Sequence, residues 1–416
     1  MTVTLPHGPR RGTVRARASK SQLQRALLCA ALGGYETLIV TDGIPRDAAA
    51  MIACLRAMGA RIDETQAETL RVRPIAEPPK GVCTLPCGES GATLRFLLPV
   101  AGALGIEAVF ERGGRLPERP LAPLTEELKK HGMRIETQGA ALRCAGKLRA
   151  GAYAIDGDIS SQFITGLLFA LPLLDGASTL RVKGETVSKP YLDLTEAALQ
   201  SAGVRYEKSG QTYEIQGGQR FDPPSETRVE GDWSGAAPFL CMGALSREGV
   251  TVAGLDPGSL QGDRAILTLL RRFGAGVEVR DDVVTVRRGS LLGGVVDASQ
   301  TPDLVPVLAA LATLSGGETV IVNAARLRSK ESDRLSAAAR MLTALGADVS
   351  ETADGLRIRG RESLDGGTAD AANDHRIAMA AAVAACRCRS DVTVLGAECV
   401  DKSYPAFWED LQCLFT

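Results

Sequence analysis

The sequence carries almost no net charge: 48 Lys and Arg stand against 49 Asp and Glu, leaving −1 at pH 7. That balance argues against a chain whose main task is wrapping nucleic acid, which demands a cationic excess. Long apolar runs are also lacking. The longest, such as Phe163–Leu174 and Ile377–Cys386, fall short of the roughly 18 residues a membrane span needs. Histidine is scarce, with His7, His131 and His375 alone, and neither Cys83/Cys87 nor Cys386/Cys388 has C-x-x-C spacing. No metal site is expected. There is no G-x-S-x-G, Walker loop or G-x-G-x-x-G, so those routes to nucleophilic hydrolysis and nucleotide binding are excluded. Met1 to Lys20 is basic and broken by Pro6, Gly8 and Gly12, without the apolar core of a secretory signal. Ten cysteines, most in apolar contexts, read as reduced thiols, and a cytoplasmic location is expected.

What is present is a globular chain of 416 residues, 45% hydrophobic and 23% charged, long enough for two or three domains. A repeat organises it. The segments LRAMGARI, LKKHGMRI, LQSAGVRY, LRRFGAGVEV and LTALGADV share a helix end, a glycine and a strand. Their glycines, Gly59, Gly132, Gly203, Gly274 and Gly346, are 73, 71, 71 and 72 residues apart. Each suits the left-handed position that ends a helix. A second landmark has similar spacing. Polar clusters at Ser19–Ser21, Glu89–Gly91, Ser160–Gln162, Trp233–Gly235, Thr301–Asp303 and Asn373–His375 precede apolar helical runs and supply natural N-caps.

Six starts mean six units, each a mixed αβ module with small sheets and buried helices. Three units per domain put the first domain at 16–230 and the second at 1–15 plus 231–416. The sixth unit lacks a closing glycine and strand, which Val3–Arg15 is expected to supply.

Helix N-termini offer free N–H groups and partial positive charge, and so attract anions. Around these starts stand Lys20, Arg25, Arg95, Arg115, Arg119, Lys330, Arg334, Arg376 and Lys402. Any one of them alone reads equally well as a solvated surface cation. Grouped at the repeat landmarks, they point to small, highly charged anions such as phosphates and carboxylates. Two carboxylates, Asp303 and Glu331, lie beside these cations. Such residues are commonly structural ion-pair partners, but here they are also candidates for a general acid and base.

In ordered combination the motifs resemble the 5-enolpyruvylshikimate-3-phosphate (EPSP) synthase family. They are S-K-S-x-x-x-R at Ser19–Arg25, G-x-S-G-x-T-x-R at Gly88–Arg95, R-L-x-x-R-P at Arg115–Pro120, S-S-Q-F at Ser160–Phe163 and V-S-K-P-Y at Val187–Tyr191. E-G-D at Glu230–Asp232, Q-G-D at Gln261–Asp263, P-D at Pro302–Asp303, K-E-S-D-R-L at Lys330–Leu335, D-H-R at Asp374–Arg376 and K-S-Y-P at Lys402–Pro405 follow. The resemblance covers essentially the whole chain. It implies an α/β (α+β) enolpyruvyl transferase fold: two domains of three βαβαββ-like units, with the active site in the cleft between them.

The implied reaction moves the enolpyruvyl group of phosphoenolpyruvate to the 5-hydroxyl of 3-phosphoshikimate, releasing phosphate, with no cofactor. By resemblance, Asp303 deprotonates the attacking hydroxyl, Glu331 exchanges the proton at C3, and Lys20 contacts both substrates and assists proton transfer. Lys20, Gly91, Arg115, Gln162, Arg334, Arg376 and Lys402 are assigned to phosphoenolpyruvate. Lys20, Ser21, Arg25, Ser160, Ser161, Gln162, Ser188, Tyr191, Asp303, Arg326 and Lys330 are assigned to 3-phosphoshikimate. The partners implied are these two small molecules, with no nucleic acid or membrane, acting on a monomer.

The sequence departs from the family pattern in several places. Arg17-Ala18 replaces Pro-Gly, Gln24 replaces His or Asn, and Pro45-Arg46-Asp47 replaces Ser-Asp-Asp. Glu89 and Arg326 each replace Asn, and Ala92 replaces Thr. Glu89 opposes a bound anion unless a cation such as Arg17 pairs it. Gly91 leaves no bulk to exclude a phosphoenolpyruvate mimic, which implies sensitivity to glyphosate. The alternatives are a non-catalytic anion-binding relative, disfavoured by the presence of Asp303 and Glu331, and the UDP-N-acetylglucosamine enolpyruvyl transferase. The latter carries Lys-Asn and a loop cysteine where this chain has Lys20-Ser21 and Arg115.

Overall fold

In the computed structural model, which describes residues 1–65 and 68–414, each repeat glycine ends a helix in a left-handed turn. Its φ is +108° at Gly59, +107° at Gly132, +70° at Gly203, +93° at Gly274 and +92° at Gly346. The helices that stop there are Arg46–Ala57, Ala122–Lys130, Lys189–Ser201, Ile266–Phe273 and Arg334–Ala344. A side chain at such a backbone angle is strained, which is why glycine marks the period. A strand follows each one, from Arg61–Thr65 in the first unit to Asp348–Glu351 in the fifth.

Among the described residues the units build six small sheets. In the second, Cys83–Gly88 runs parallel to Ala108–Arg112, with Cys83 opposite Ala108. Ala141–Ala145 then pairs antiparallel with Ala108–Arg112 on one side and with Arg134–Gln138 on the other. The third and fifth sheets repeat this order within their own stretches of chain. The first and fourth borrow their leading strand. Glu226–Arg228 lies parallel to Thr37–Val40, and Gly12–Arg15 lies parallel to Val250–Ala253.

The N-terminal segment therefore does not serve the sixth unit alone. Thr2–Leu5 pairs antiparallel with Val392–Leu395 of the sixth sheet, which stays three-stranded, whereas Gly12–Arg15 belongs to the fourth. The physical reason is the break between them. Pro6 and Pro9 have no N–H for a ladder, and Gly8 and Gly12 sit at φ +114° and +121°.

The chain divides into two compact units, Lys20–Val229 and Met1–Ser19 with Glu230–Thr416. The connecting strands pair in the latter unit. Ser19 N–H donates to Glu230 O at 2.8 Å, Asp232 N–H donates to Arg17 O at 2.7 Å, and Ala18 bridges Gly231 antiparallel.

Each unit is filled by helices with little polar face. Every residue of Trp233–Leu245 and of His375–Ala385 is buried. At about 1.5–3 kcal/mol for each fully buried large aliphatic side chain, packing rather than helix propensity holds these segments. In the Lys20–Val229 unit, Gly91–Leu104 and Ser161–Ala170 approach closely at Gly166. A Cβ there would lie 2.2 Å from Arg95 O and 2.8 Å from Pro99 Cγ. That contact fixes how the polar starts of the two helices face each other. Among the described residues, no helix is long and apolar enough to cross a membrane.

Candidate active site

The second, third, fourth and sixth repeat helix starts carry a side-chain cap. Ser90 accepts from Thr93 N–H at 3.3 Å, Ser160 from Gln162 N–H at 3.3 Å, and Asp374 from Arg376 N–H at 3.0 Å. In the fourth unit the cap is Asp232, just ahead of the Trp233–Gly235 cluster; it accepts from Ser234 and Gly235 N–H at 2.8 and 3.1 Å. The fifth start makes no side-chain cap at Thr301. It opens instead as a 3-10 turn, Pro302–Leu304, in which proline has no N–H to satisfy.

In the Lys20–Val229 unit, Lys20 begins the helix Lys20–Ala31 and its Nζ lies 2.8 Å from Asp47 Oδ2. One turn on, Gln24 Nε2 donates to Ser90 Oγ and Thr93 Oγ1, both at 3.3 Å. Arg25 is buried, and its three acceptors are neutral: Thr195 Oγ1 at 3.0 Å, Ser21 O at 2.7 Å and Tyr191 O at 2.9 Å. Burial pulls its guanidinium down to about 10, with Tyr191 and then Cys29 opposing. It stays cationic at neutral pH, so the motifs S-K-S-x-x-x-R and V-S-K-P-Y meet at a buried positive charge.

Arg95 donates to Gln162 Oε1 at 2.7 Å. Gly91 lies under two guanidinium groups: a Cβ there would meet Arg95 Nη1 at 2.7 Å and Arg119 Nη1 at 2.8 Å. Ser161 and Ser188 are buried. Ser188 holds φ +52°, a left-handed angle uncommon for a non-glycine residue, at the start of Lys189–Ser201. Arg115 is 43% exposed and pairs with Glu118 at 3.3 Å. Glu89 lies over the Gly113-Gly114 turn, where a Cβ on Gly114 would meet its Oε2 at 2.4 Å. Arg17, the cation considered for Glu89, forms a two-pronged pair with Asp410 at 2.9 and 2.7 Å.

In the other unit one guanidinium gathers the carboxylates. Arg334, 1% exposed, donates from Nη1 to Asp303 at 2.9 Å, from Nη2 to Glu331 at 2.8 Å and from Nε to Asp374 at 2.8 Å. Asp374 also accepts from the Ser332 hydroxyl at 2.9 Å. Lys330 Nζ and Arg376 Nη2 approach Asp303 at 3.9 and 3.6 Å. Burial alone would push the Asp303 carboxyl up. Lys330, Arg334 and Arg376 outweigh it and hold the group well below the usual carboxylate range, with Glu331 opposing them. Lys402 is buried and donates to Asn373 O at 2.6 Å. Arg326 is directed to the carbonyls of Ala298 and Ser299.

Three groups central to this arrangement have partners that the sequence does not announce: Asp47 carries no role there, Asp374 only that of a helix cap, and Arg119 only that of one cation among the group. Asp47 holds Lys20, Asp374 organises Arg334 as well as capping a helix, and Arg119 flanks Gly91 with Arg95. Asp374 and Arg119 lie inside quoted motifs, so their positions were visible and only their partners were not.

A family model for EPSP synthase (3-phosphoshikimate 1-carboxyvinyltransferase) matches residues 6–411. The chain belongs to the EPSP synthase family. A relative from Clostridium kluyveri, named 3-phosphoshikimate 1-carboxyvinyltransferase, is 42% identical over 406 residues, covering 97% of this chain and 95% of its own. One of the same name from Methanocorpusculum labreanum is 36% identical over 407 residues, covering 97% of this chain and 96% of its own. The fold is that of EPSP synthase from Acinetobacter baumannii, with TM-score 0.80, 24% identity, and 99% and 97% of the two chains covered. The enolpyruvyl transferase NikO from Streptomyces tendae also matches at TM-score 0.80, with 20% identity and 99% and 97% coverage. The small mixed sheets and buried helices described above are thus the EPSP synthase architecture.

Proposed function

We propose that the protein transfers the enolpyruvyl group of phosphoenolpyruvate to the 5-hydroxyl of 3-phosphoshikimate, releasing phosphate, as its family does. The observation that carries this reading is Arg334 bonding both Asp303 and Glu331 at hydrogen-bond distance. It supplies two carboxylates of defined position beside cations, which addition followed by elimination requires.

In this reading C3 of phosphoenolpyruvate takes a proton, the 5-hydroxyl attacks C2, and the tetrahedral adduct expels phosphate as C3 gives a proton back. Glu331 serves C3 and Asp303 takes the hydroxyl proton. Held by three cations, Asp303 is a poor base. Substrate phosphate and carboxylate groups bound to Lys330, Arg334 and Arg376 share those cations and raise its basicity, so the base is activated as the substrates arrive.

Gly91, Arg115, Gln162, Arg334, Arg376 and Lys402 serve phosphoenolpyruvate, and Lys20 serves both substrates once they compete with Asp47 for it. Ser21, Arg25, Ser160, Ser161, Ser188, Tyr191, Arg326 and Lys330 hold 3-phosphoshikimate. Fixed cations and helix N–H groups supply the stabilisation of the developing charge. The protein works as a monomer in the cytoplasm, a reading supported by ten free thiols and by both residue sets lying on one chain.

Phosphate release from purified protein tests the reaction. It is expected with phosphoenolpyruvate plus 3-phosphoshikimate and not with phosphoenolpyruvate plus UDP-N-acetylglucosamine. Silence with the first pair, or release with the second alone, refutes the reading.

A further inference from the structure

The Q-G-D motif has no part in the steps above, yet Asp263 is only 3% exposed. It lies in the turn Gly262–Ala265, and its Oδ2 accepts the Ser234 hydroxyl. The Ser234 carbonyl in turn accepts from Arg376 Nη1 at 2.8 Å. Ser234 therefore bridges a buried acid and a buried base, and each keeps an unused polar atom. Among the described residues, neither Asp263 Oδ1 nor Arg376 Nε has a hydrogen-bond partner. Two such buried orphans beside one serine are costly, which makes them a feature to explain.

The groups acting on Asp263 come from three other segments of the chain. Asp303 belongs to Pro302–Leu304, Arg376 to His375–Ala385, and Asp232 and Ser234 to the start of Trp233–Leu245, with Arg264 adjoining on its own turn. Burial and then Asp303 raise its pKa, Arg376 and the Ser234 hydroxyl lower it, and Asp232 adds a further push upward; the balance is about 7.

We propose that Asp263 is a positioning residue for Arg376, acting through Ser234, and that the pair takes up a proton when an anionic group of phosphoenolpyruvate engages Arg376. The physical reason is competition for one charge. An anion on Arg376 weakens the positive field at Asp263, so the carboxylate binds a proton from solvent; while Asp263 is ionised, it opposes the incoming anion. This rests on the reading of Arg376 as a phosphoenolpyruvate contact.

The test is KM for phosphoenolpyruvate from pH 5.5 to 9 in wild type and Asp263→Asn, taken as a ratio so that ionisation of the substrate cancels. The wild-type value is expected to climb relative to the variant above about pH 7, by at most about tenfold per pH unit, with KM for 3-phosphoshikimate unmoved. A purely structural role would raise the variant's KM by the same factor at every pH, and such a flat ratio overturns the proposal. Ser234→Ala, which keeps the carbonyl for Arg376 but removes the donor to Asp263, is expected to move the step to higher pH. If Asp263→Asn does not fold, an unmoved step in Ser234→Ala overturns the proposal by itself. Wild-type protein without turnover at any pH defeats the reaction reading instead, which separates the two failures.

Discussion

The two units answer the same repeat differently. In Lys20–Val229 the buried Arg25 rests on a hydroxyl and two carbonyls, and Arg95 donates to an amide and a carbonyl. In the other unit Arg334 bonds three carboxylates, and Arg376 lies 3.6 Å from one of them. A cation satisfied by neutral oxygens keeps its charge for an incoming anion. One satisfied by carboxylates spends that charge on holding acids and bases in place. On the proposed reading, the same helix-start geometry leaves Arg25 with neutral partners and its charge for an anion, whereas Arg334 and Arg376 hold carboxylates in place and share their charge with phosphoenolpyruvate when it binds.

Removing the hub should break this contrast most severely. Arg334→Ala leaves the buried Asp374 and the partly buried Asp303 and Glu331 without their shared partner, and a loss of about 3–5 kcal/mol in urea denaturation is expected. A loss under about 1 kcal/mol would mean that the carboxylates are held by something else. Glu331→Gln keeps the shape and removes the proton site. It is expected to lower kcat by at least ~10²-fold with KM values near wild type, and near-normal turnover would take Glu331 out of the mechanism.

In Lys20–Val229, Gly166→Ala forces a methyl against Arg95 O and Pro99. A loss of about 1–3 kcal/mol is expected by thermal or urea unfolding, with weaker phosphoenolpyruvate binding as Arg95 and Gln162 shift. Unchanged stability would mean that the two helices separate freely.

The smallest effect concerns acid. Asp303 has a folded pKa below its unfolded value, so its stabilisation is present above the unfolded carboxylate range and lost as pH falls toward the folded value. The stability gap between wild type and Asp303→Asn should therefore be constant above about pH 5 and shrink below about pH 4. A gap that widens in acid would reverse the assigned sign.

Much of the architecture was legible because its cause is local. A glycine with positive φ ends each of five helices, and that requirement repeats in the sequence at Gly59, Gly132, Gly203, Gly274 and Gly346. Strand borrowing was legible only in part. Val3–Arg15 reads as one extended segment, and its division between two sheets depends on partners some 240 and 390 residues away in the chain, at Val250 and Leu395.

Within the candidate site, residue identities follow from motifs, but pairings do not. Nothing local in R-S-K-E-S-D-R says that Arg334 turns to Asp374 as well as to Glu331. Nor does P-R-D announce that Asp47 holds Lys20. Asp263 is visible as a motif residue, but its orphaned oxygen exists only once three segments have folded around Ser234.

The division of labour between the two cation sets is tested most directly by one kinetic comparison, Arg25→Met against Glu331→Gln, in steady state with both substrates varied. Arg25→Met is expected to raise KM for 3-phosphoshikimate by about tenfold or more with a lesser change in kcat, whereas Glu331→Gln lowers kcat and spares both KM values. The same pattern from both variants, or the reverse assignment, would contradict the account.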